Sequence, residues 1–482
     1  MSPAKIAGLA GGVAAFLAIA LIDSPLHHVE GAGSRPAWAA AVAALMAAWW
    51  MTEALPIHFT ACVPILVFPL AHVLPGSTGE VVKTTLLTYV SDYVLLFAGG
   101  MCIGAAMHQH GLDRRIALYV LRAVGTEPKR LLLGFLVATA FVSMWISNTA
   151  AAAMMLPIAT AVIHQVEERA GGTKLAGYGG SLMLSIAYAS NIGGIATKIG
   201  TPPNMQLCGV LREMGIEVTF LQFAAVGVPF VLLMMPAAWL LLWWTGRKDA
   251  PKGGDAGTTV ADEARGLSPM SGGEWIVLAV FVGAASMWVF GKSLADAAGL
   301  ALKSSQVEGY VGVAAALVLV LARFRGRAVL GWEALRKVPW PTLLLLGGSF
   351  AMAAGIERSG LSTWLGGELG WLRHMPGFLQ VLAASVACVA VSAVASNTAT
   401  VAVMLPLLRS AAAPAQLNTV LFASAFSASC DFALPAGTPP NAIVFGSGYV
   451  SFLRMARTGV LLDVFAAALA AAWCWVAVPW VI

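Results

Sequence analysis

The 482-residue sequence predicts an all-α integral membrane protein: about eleven transmembrane helices plus two re-entrant helical hairpins, in an inverted-topology repeat. Three observations predict it. The composition is 59% hydrophobic and 11% charged, whereas a soluble domain carries roughly 25% charged residues. So few charges cannot cover a water-facing surface. Apolar runs are long enough to cross a bilayer as helices. The chain also repeats: "WISNTAAAAMMLP" (Trp145 to Pro157) returns as "VASNTATVAVMLP" (Val394 to Pro406), and "GTPPN" at Gly200 to Asn204 returns at Gly437 to Asn441.

Apolar length places membrane segments at 5–22, 37–53, 57–75, 86–112, 131–165, 178–211, 219–245, 274–291, 307–322, 338–365, 377–408, 417–449 and 456–480. The first, "MSPAKIAGLAGGVAAFLAIALI", imitates a signal peptide with one lysine before an apolar run. A further apolar segment follows soon after Arg35, so the run reads as a retained transmembrane helix. Segments 131–165 and 377–408 are too long for one crossing and carry a polar break. Each reads as a re-entrant hairpin, whose polar tip must be buried in protein or face water. "GRKDAPKGGDAGTTVADEARGLSPMSGG" (Gly246 to Gly273) is polar, with Gly, Pro and mixed charge. It reads as a flexible cytoplasmic linker between a first half, 1–245, and a second, 274–482.

With a cytoplasmic N-terminus and non-crossing hairpins, the cytoplasmic loops gather the cations. They hold Arg114, Arg115, Arg122, Lys129 and Arg130, then Arg247, Lys248, Lys252 and Arg265, then Arg323, Arg325, Arg327, Arg336, Lys337, Arg454 and Arg457. External loops hold mostly single cations such as Arg35, Lys83 and Arg212. This bias sets eleven crossings in the cell (inner) membrane, with the C-terminus external. "FAGGMCIGAAMHQHGL" (Phe97 to Leu112) matches "LGGSFAMAAGIERSGL" (Leu346 to Leu361) at the offset of 249 that also relates the two Ser-Asn-Thr segments. One hairpin leaves from the cytoplasm and the other from outside. Inverted repeats with interrupted segments in matching positions predict a secondary transporter with its site at the repeat interface.

Other classes lack support. A net charge of +5 is small for this length and argues against nucleic acid. The six cysteines form no CxxC pair, so neither a disulfide framework nor a zinc site is expected. There is no P-loop, HExxH or GxSxG to drive a pump or a hydrolase, so neither an enzyme nor a cofactor is expected. His108 and His110 fall at the expected cytoplasmic edge and read as solvated; Glu53 reads as pairing or capping near a helix end. Trp49, Trp50, Trp243, Trp244, Trp473, Trp475 and Trp480 read as interface anchors.

The hairpin tips carry the chemistry. Ser, Asn and Thr suit a helix start because their oxygens cap free N–H groups. A helix start carries partial positive charge, so two of them meeting at mid-membrane would hold an anion without a buried cation. The same oxygens suit Na+, a hard cation, and Gly-Thr-Pro-Pro-Asn breaks a helix to free carbonyls. Ser143 and Ser392 each precede their tip serine by four residues and share its helical face. One sodium site is therefore assigned to Ser143, Ser147, Asn148 and the Gly200 backbone. The other is assigned to Ser392, Ser396, Asn397 and the Gly437 backbone.

At these motifs, and at "TEALPIHFTACVPILVFPL" (Thr52 to Leu70), "GLDRRIAL" (Gly111 to Leu118) and "LPAGTPPNAIVF" (Leu434 to Phe445), the chain resembles the divalent anion/sodium symporters. These carry dicarboxylates, citrate or sulfate. The resemblance implies a homodimer in which a transport domain slides against a fixed scaffold, as an elevator. It implies substrate contacts at Asn148, Thr149, Thr201, Asn397, Thr398, Thr438 and Pro439, and sodium ligands in the two clusters above. The expected activity is sodium-coupled import of C4-dicarboxylates; the alternatives are a dicarboxylate, citrate or α-ketoglutarate exchanger, or symporter with altered sodium coupling, and, more distantly, an anion channel.

Lys198 in "IATKIGTPPN" and Asp431 in "SASCDFALP" depart from the family pattern. Charge inside a membrane marks function or a buried pair. The expectations are a Lys198–Asp431 salt bridge, Lys198 reaching toward water, or a Lys198 that assists substrate or replaces a sodium ion.

Overall fold

A computed structural model describes residues 3–125, 127–169, 174–251 and 265–482. Lys252 and the rest of 252–264, the middle of the expected linker, lie outside the described residues. The described residues are built into helices, with one two-stranded hairpin among them, β1 (Arg323–Phe324) and β2 (Arg327–Ala328). The first half runs α1 (Pro3–Leu21), α2 (Arg35–Met51), α3 (Ile57–Thr60), α4 (Val63–Leu70), α5 (Thr78–Tyr89), α6 (Asp92–His110) and α7 (Leu112–Val124). It continues through α8 (Pro128–Ser143), α9 (Asn148–Arg169), α10 (Ala176–Gly194), α11 (Pro202–Glu213) and α12 (Phe220–Gly246). The second half runs α13 (Gly272–Ala297), α14 (Ser304–Leu321), α15 (Trp332–Lys337), α16 (Pro341–Arg358) and α17 (Leu361–Glu368). It ends with α18 (Gly377–Ser392), α19 (Asn397–Ala411), α20 (Leu417–Ser429), α21 (Pro439–Gly446) and α22 (Phe452–Val481).

Among the described residues, six helical stretches are long and apolar enough to cross a membrane, α12, α13 and α22 included. Other expected crossings are made of two shorter helices, because polar or proline-bearing breaks interrupt them. Segment 57–75 divides into α3 and α4, and segment 178–211 into α10 and α11. Helix α7 has no counterpart among the expected segments. Leu112, Ala117, Leu118 and Leu121 are buried on one side while Arg114 and Arg122 stay exposed, the two-faced pattern of a helix lying along an interface. Its Arg115 pairs with Glu274 at 2.6 Å and donates to Ser268 O at 2.8 Å, tying α7 to the start of α13.

Two expectations need correction. Trp50 is fully buried and donates to Ile57 O, so it packs the core rather than anchoring an interface. The start of the expected linker is not loose: the Asp249 carboxylate accepts from the N–H groups of Gly177 and Tyr178. An anionic acceptor there satisfies the free donors at the start of α10. The expected pairing of Glu53 is present, with Lys5 at 3.9 Å. His108 is exposed, as expected, and bonds to Asp113; His110 is half-buried and bonds to Val329 O.

Candidate substrate and cation site

The two hairpins enter from opposite ends of the molecule. The base of α8–α9 is tied to the start of α10 by Tyr178 Oη to Pro128 O and by Leu175 N to Glu167 Oε1. The start of α10 is in turn tied to the segment just after α12 by Asp249. The base of α18–α19 is joined to the end of α16 by Arg409–Glu357 at 2.8 Å, and that end reaches the end of α11 by Arg358–Glu213. Glu213 lies just before the start of α12. Helix α12 has 27 residues, about 40 Å at 1.5 Å per residue, so it separates the two bases. Helix α9 packs on α21, and α19 packs on α11, so each hairpin lies against the broken helix of the other half.

At the first tip, Ser147 Oγ accepts from Ala150 N at 3.3 Å and α9 begins at Asn148. Ser143 Oγ donates to Ser190 O at 2.7 Å. One terminal atom of the Asn148 amide lies 2.9 Å from Ser143 Oγ, 3.1 Å from Ser190 O and 3.3 Å from Gly200 O. With the amide nitrogen there, these neighbours receive hydrogen bonds. With the amide oxygen there, it accepts from Ser143 Oγ and faces the carbonyls of Ser190 and Gly200, an oxygen set suited to a hard cation. The second tip repeats the arrangement. Ser396 Oγ accepts from Ala399 N at 3.2 Å, and Ser392 Oγ bonds Asn397 Oδ1 at 2.9 Å and Ala428 O at 2.7 Å.

The helix breaks lie upstream of the prolines. Helix α10 ends at Gly194 and α20 at Ser429, while Pro202 and Pro439 open α11 and α21. Proline is suited to that first helical position, where an N–H would be unpaired in any case. Within each break an asparagine amide bridges two bare carbonyls. Asn204 Nδ2 donates to Gly194 O and Thr197 O; Asn441 Nδ2 donates to Asp431 O and Leu434 O. Asn191 Nδ2, on α10, crosses to Asp431 O at 3.0 Å and Thr438 Oγ1 at 3.1 Å, joining the two halves.

Of the expected substrate contacts, Thr149 and Pro439 are exposed, Asn148 and Thr398 half-buried, and Thr201, Asn397 and Thr438 buried. A cavity of about 890 Å³ reaches Ser147 and Ala150 at the first tip. The 327–339 segment lines it too, and its charged lining is mixed, with Arg327 and Lys337 beside Glu333 and a His108 bonded to Asp113. Among the described residues no group of three or more His, Cys, Asp or Glu forms a metal cluster.

The expected Lys198–Asp431 pair does not form, and Lys198 does not reach water. Lys198 is fully buried, and its ammonium pairs with Glu308 on α14 at 2.7 Å. Gly194 separates α10 from a turn that directs Lys198 toward α14 and the Tyr93 ring, away from Asp431. Sequence reasoning missed Glu308 and Asn191. The signals were present: a lone carboxylate inside the apolar segment 307–322, and a Ser-Asn pair at Ser190 and Asn191 beside the two at the tips.

Comparison with known proteins matches residues 4–481 to the family described as the sodium:sulfate symporter transmembrane region. The chain is 34% identical over 478 residues to the sodium-dependent dicarboxylate transporter SdcS of Staphylococcus aureus strain USA300, covering 97% of this chain and 90% of that protein. The protein of the same name from strain NCTC 8325 / PS 47 matches to the same extent. The crystal structure of the Alcanivorax borkumensis YdaH transporter is similar with a TM-score of 0.52, over 88% of this chain and 98% of that one, at 12% identity. That likeness is one of fold alone.

Proposed function

The chain belongs to the sodium:sulfate symporter family, and from that premise we propose that it is a secondary transporter bringing C4-dicarboxylates such as succinate, malate or fumarate into the cell with sodium. The observation that carries the reading is the meeting of Asn148 with Ser143 Oγ, Ser190 O and Gly200 O within 3.3 Å. Such a set turns from hydrogen-bonded to cation-binding by rotating one amide. Sodium binds first, orders both tips and offsets the dianion's charge. The substrate's carboxylates then lie at the starts of α9 and α19, against Thr149 and Thr398, with Thr201, Thr438 and Pro439 completing the pocket. Binding the cation selects the conformation competent for substrate, which couples the two.

The moving body in this reading is the two hairpins with α10–α12 and α20–α22, which pack on one another across the halves. It slides as an elevator against α1–α6 and α13–α16. The protein acts as a homodimer in the cell membrane, with its N-terminus cytoplasmic and its C-terminus external. The exchange alternative drew on Lys198 as a substitute for sodium; because that ammonium is held by Glu308, symport is the reading carried forward. Uptake of labelled succinate into proteoliposomes tests it. Uptake is expected to require an inward sodium gradient and to be competed by other C4-dicarboxylates more than by citrate, α-ketoglutarate or sulfate. Counterflow indifferent to sodium would mean exchange.

A further inference from the structure

Asp431 has a repeat partner, and it is a glycine. Asn204 donates to the carbonyls of Gly194 and Thr197; Asn441, 237 positions later, donates to those of Asp431 and Leu434, also 237 positions later. Gly194 and Asp431 therefore hold the same place in the two breaks. A Cβ at Gly194 would come within 2.4 Å of Asn148 Oδ1, so the first half leaves no room for a side chain there. The second half puts a carboxylate there. It lies directly against Gly437: a Cβ on that glycine would meet Asp431 Oδ2 at 1.8 Å. Gly437 is the residue whose backbone is assigned to the second cation cluster.

The carboxylate is 1% exposed, and neither of its oxygens has a hydrogen-bond partner among the described residues. The Ala433 N–H is near without meeting hydrogen-bond geometry. No Lys or Arg pairs with it among those residues, and the charged neighbour that acts on it, Asp463 on α22, has the same sign and already accepts from Phe432 N. The amide oxygens of Asn191 and Asn441, whose nitrogens both bind Asp431 O, are likewise buried without donors. An unpaired buried carboxylate is costly by several kcal/mol. Oxygen acceptors without donors are the ligand chemistry of a hard cation.

We propose that the Asp431 carboxylate is a charged ligand of the second cation site, binding Na+ against the Gly437 backbone and Asn397. This rests on the sodium-coupled reading above and goes beyond it. It gives the second site a full negative charge that the first site, with Gly194, does not have. Sodium therefore binds more tightly at the second site.

The test reads sodium binding without transport. Purified full-length protein is unfolded thermally while NaCl replaces choline chloride at constant ionic strength, with no substrate present. The wild type is expected to gain stability with saturation. Asp431→Asn, which keeps the side-chain shape, is expected to raise half-saturation by roughly tenfold or more. Gly437→Ala keeps the Asp431 carboxyl in the sequence but forces it aside, since the added methyl would overlap it, and is expected to do the same; it decides the matter if Asp431→Asn does not elute as folded protein. Ser147→Ala, at the first site, is expected to leave the tighter response. Titrations of both second-site variants that superimpose on the wild type overturn the proposal. So does a wild type stabilised by acid in choline chloride to which sodium adds nothing, since the carboxyl then holds a proton. A wild type that takes up dicarboxylate without sodium and shows no sodium response overturns the coupled reading itself.

Discussion

Lys198 Nζ lies 2.7 Å from Glu308 Oε2, and neither side chain is more than 2% exposed. Glu308 Oε1 accepts from Phe220 N at 2.7 Å, so a single carboxylate on α14 holds both the break after α10 and the first residue of α12. Breaking a buried pair strands a charge at a cost of about 3–5 kcal/mol, whereas replacing both partners with apolar groups of similar size is far milder. Glu308→Gln and Lys198→Met should each lower the apparent melting temperature in detergent, and the double variant Lys198→Met/Glu308→Leu should recover most of the loss. A double variant no better than the singles would show that the pair acts through more than its charges.

The first cation cluster depends on the Ser143 hydroxyl, which touches both Ser190 O and Asn148. Ser143→Ala removes one hydrogen bond, about 0.5–1.5 kcal/mol. It should raise the sodium concentration for half-maximal uptake while leaving the KM for succinate at saturating sodium nearly unchanged. An unchanged sodium dependence would remove Ser143 from the site.

Thr149 and Thr398 follow the two tip asparagines, and both have side chains accessible to solvent. Each is expected to donate to a substrate carboxylate. Losing a hydrogen bond to a charged group costs about 1.5–3 kcal/mol, or roughly ten- to a hundredfold in affinity. Thr149→Val and Thr398→Val should therefore raise the KM for succinate by that order, with little effect on sodium-induced stabilisation. A KM unmoved in both variants would place the substrate elsewhere.

Asn191, on α10, joins the first half to the second break through Asp431 O and Thr438 Oγ1. Asn191→Leu keeps the volume and leaves both acceptors without that donor, at about 1–3 kcal/mol for each unsatisfied group. Uptake should be lost or strongly slowed in protein that still elutes as folded. Normal uptake would mean that the halves communicate by another route.

Much of this was legible in the chain. The hairpin tips could be read because capping is local: Ser147 and Ser396 bind N–H groups three residues on, within their own helices. The breaks could be read only approximately. "GTPPN" marks where the second half-helix begins, since proline fits a first helical position. Where the first half-helix ends, at Gly194 and Ser429, depends on carbonyls being met by Asn204, Asn441 and Asn191, and Asn191 reaches across from the other half.

The sequence by itself determined the membrane class, the repeated halves and the residue types at both tips, because composition, apolar length and capping act over a few turns of chain. Only the tertiary structure decided which charges meet. Lys198 pairs with Glu308 and not with Asp431, Asp249 caps α10, and Asp431 lies against Gly437 with no counter-charge among the described residues. Coulombic and hydrogen-bond energies depend on separation in space, which falls off within a few ångströms and bears no fixed relation to separation along the chain.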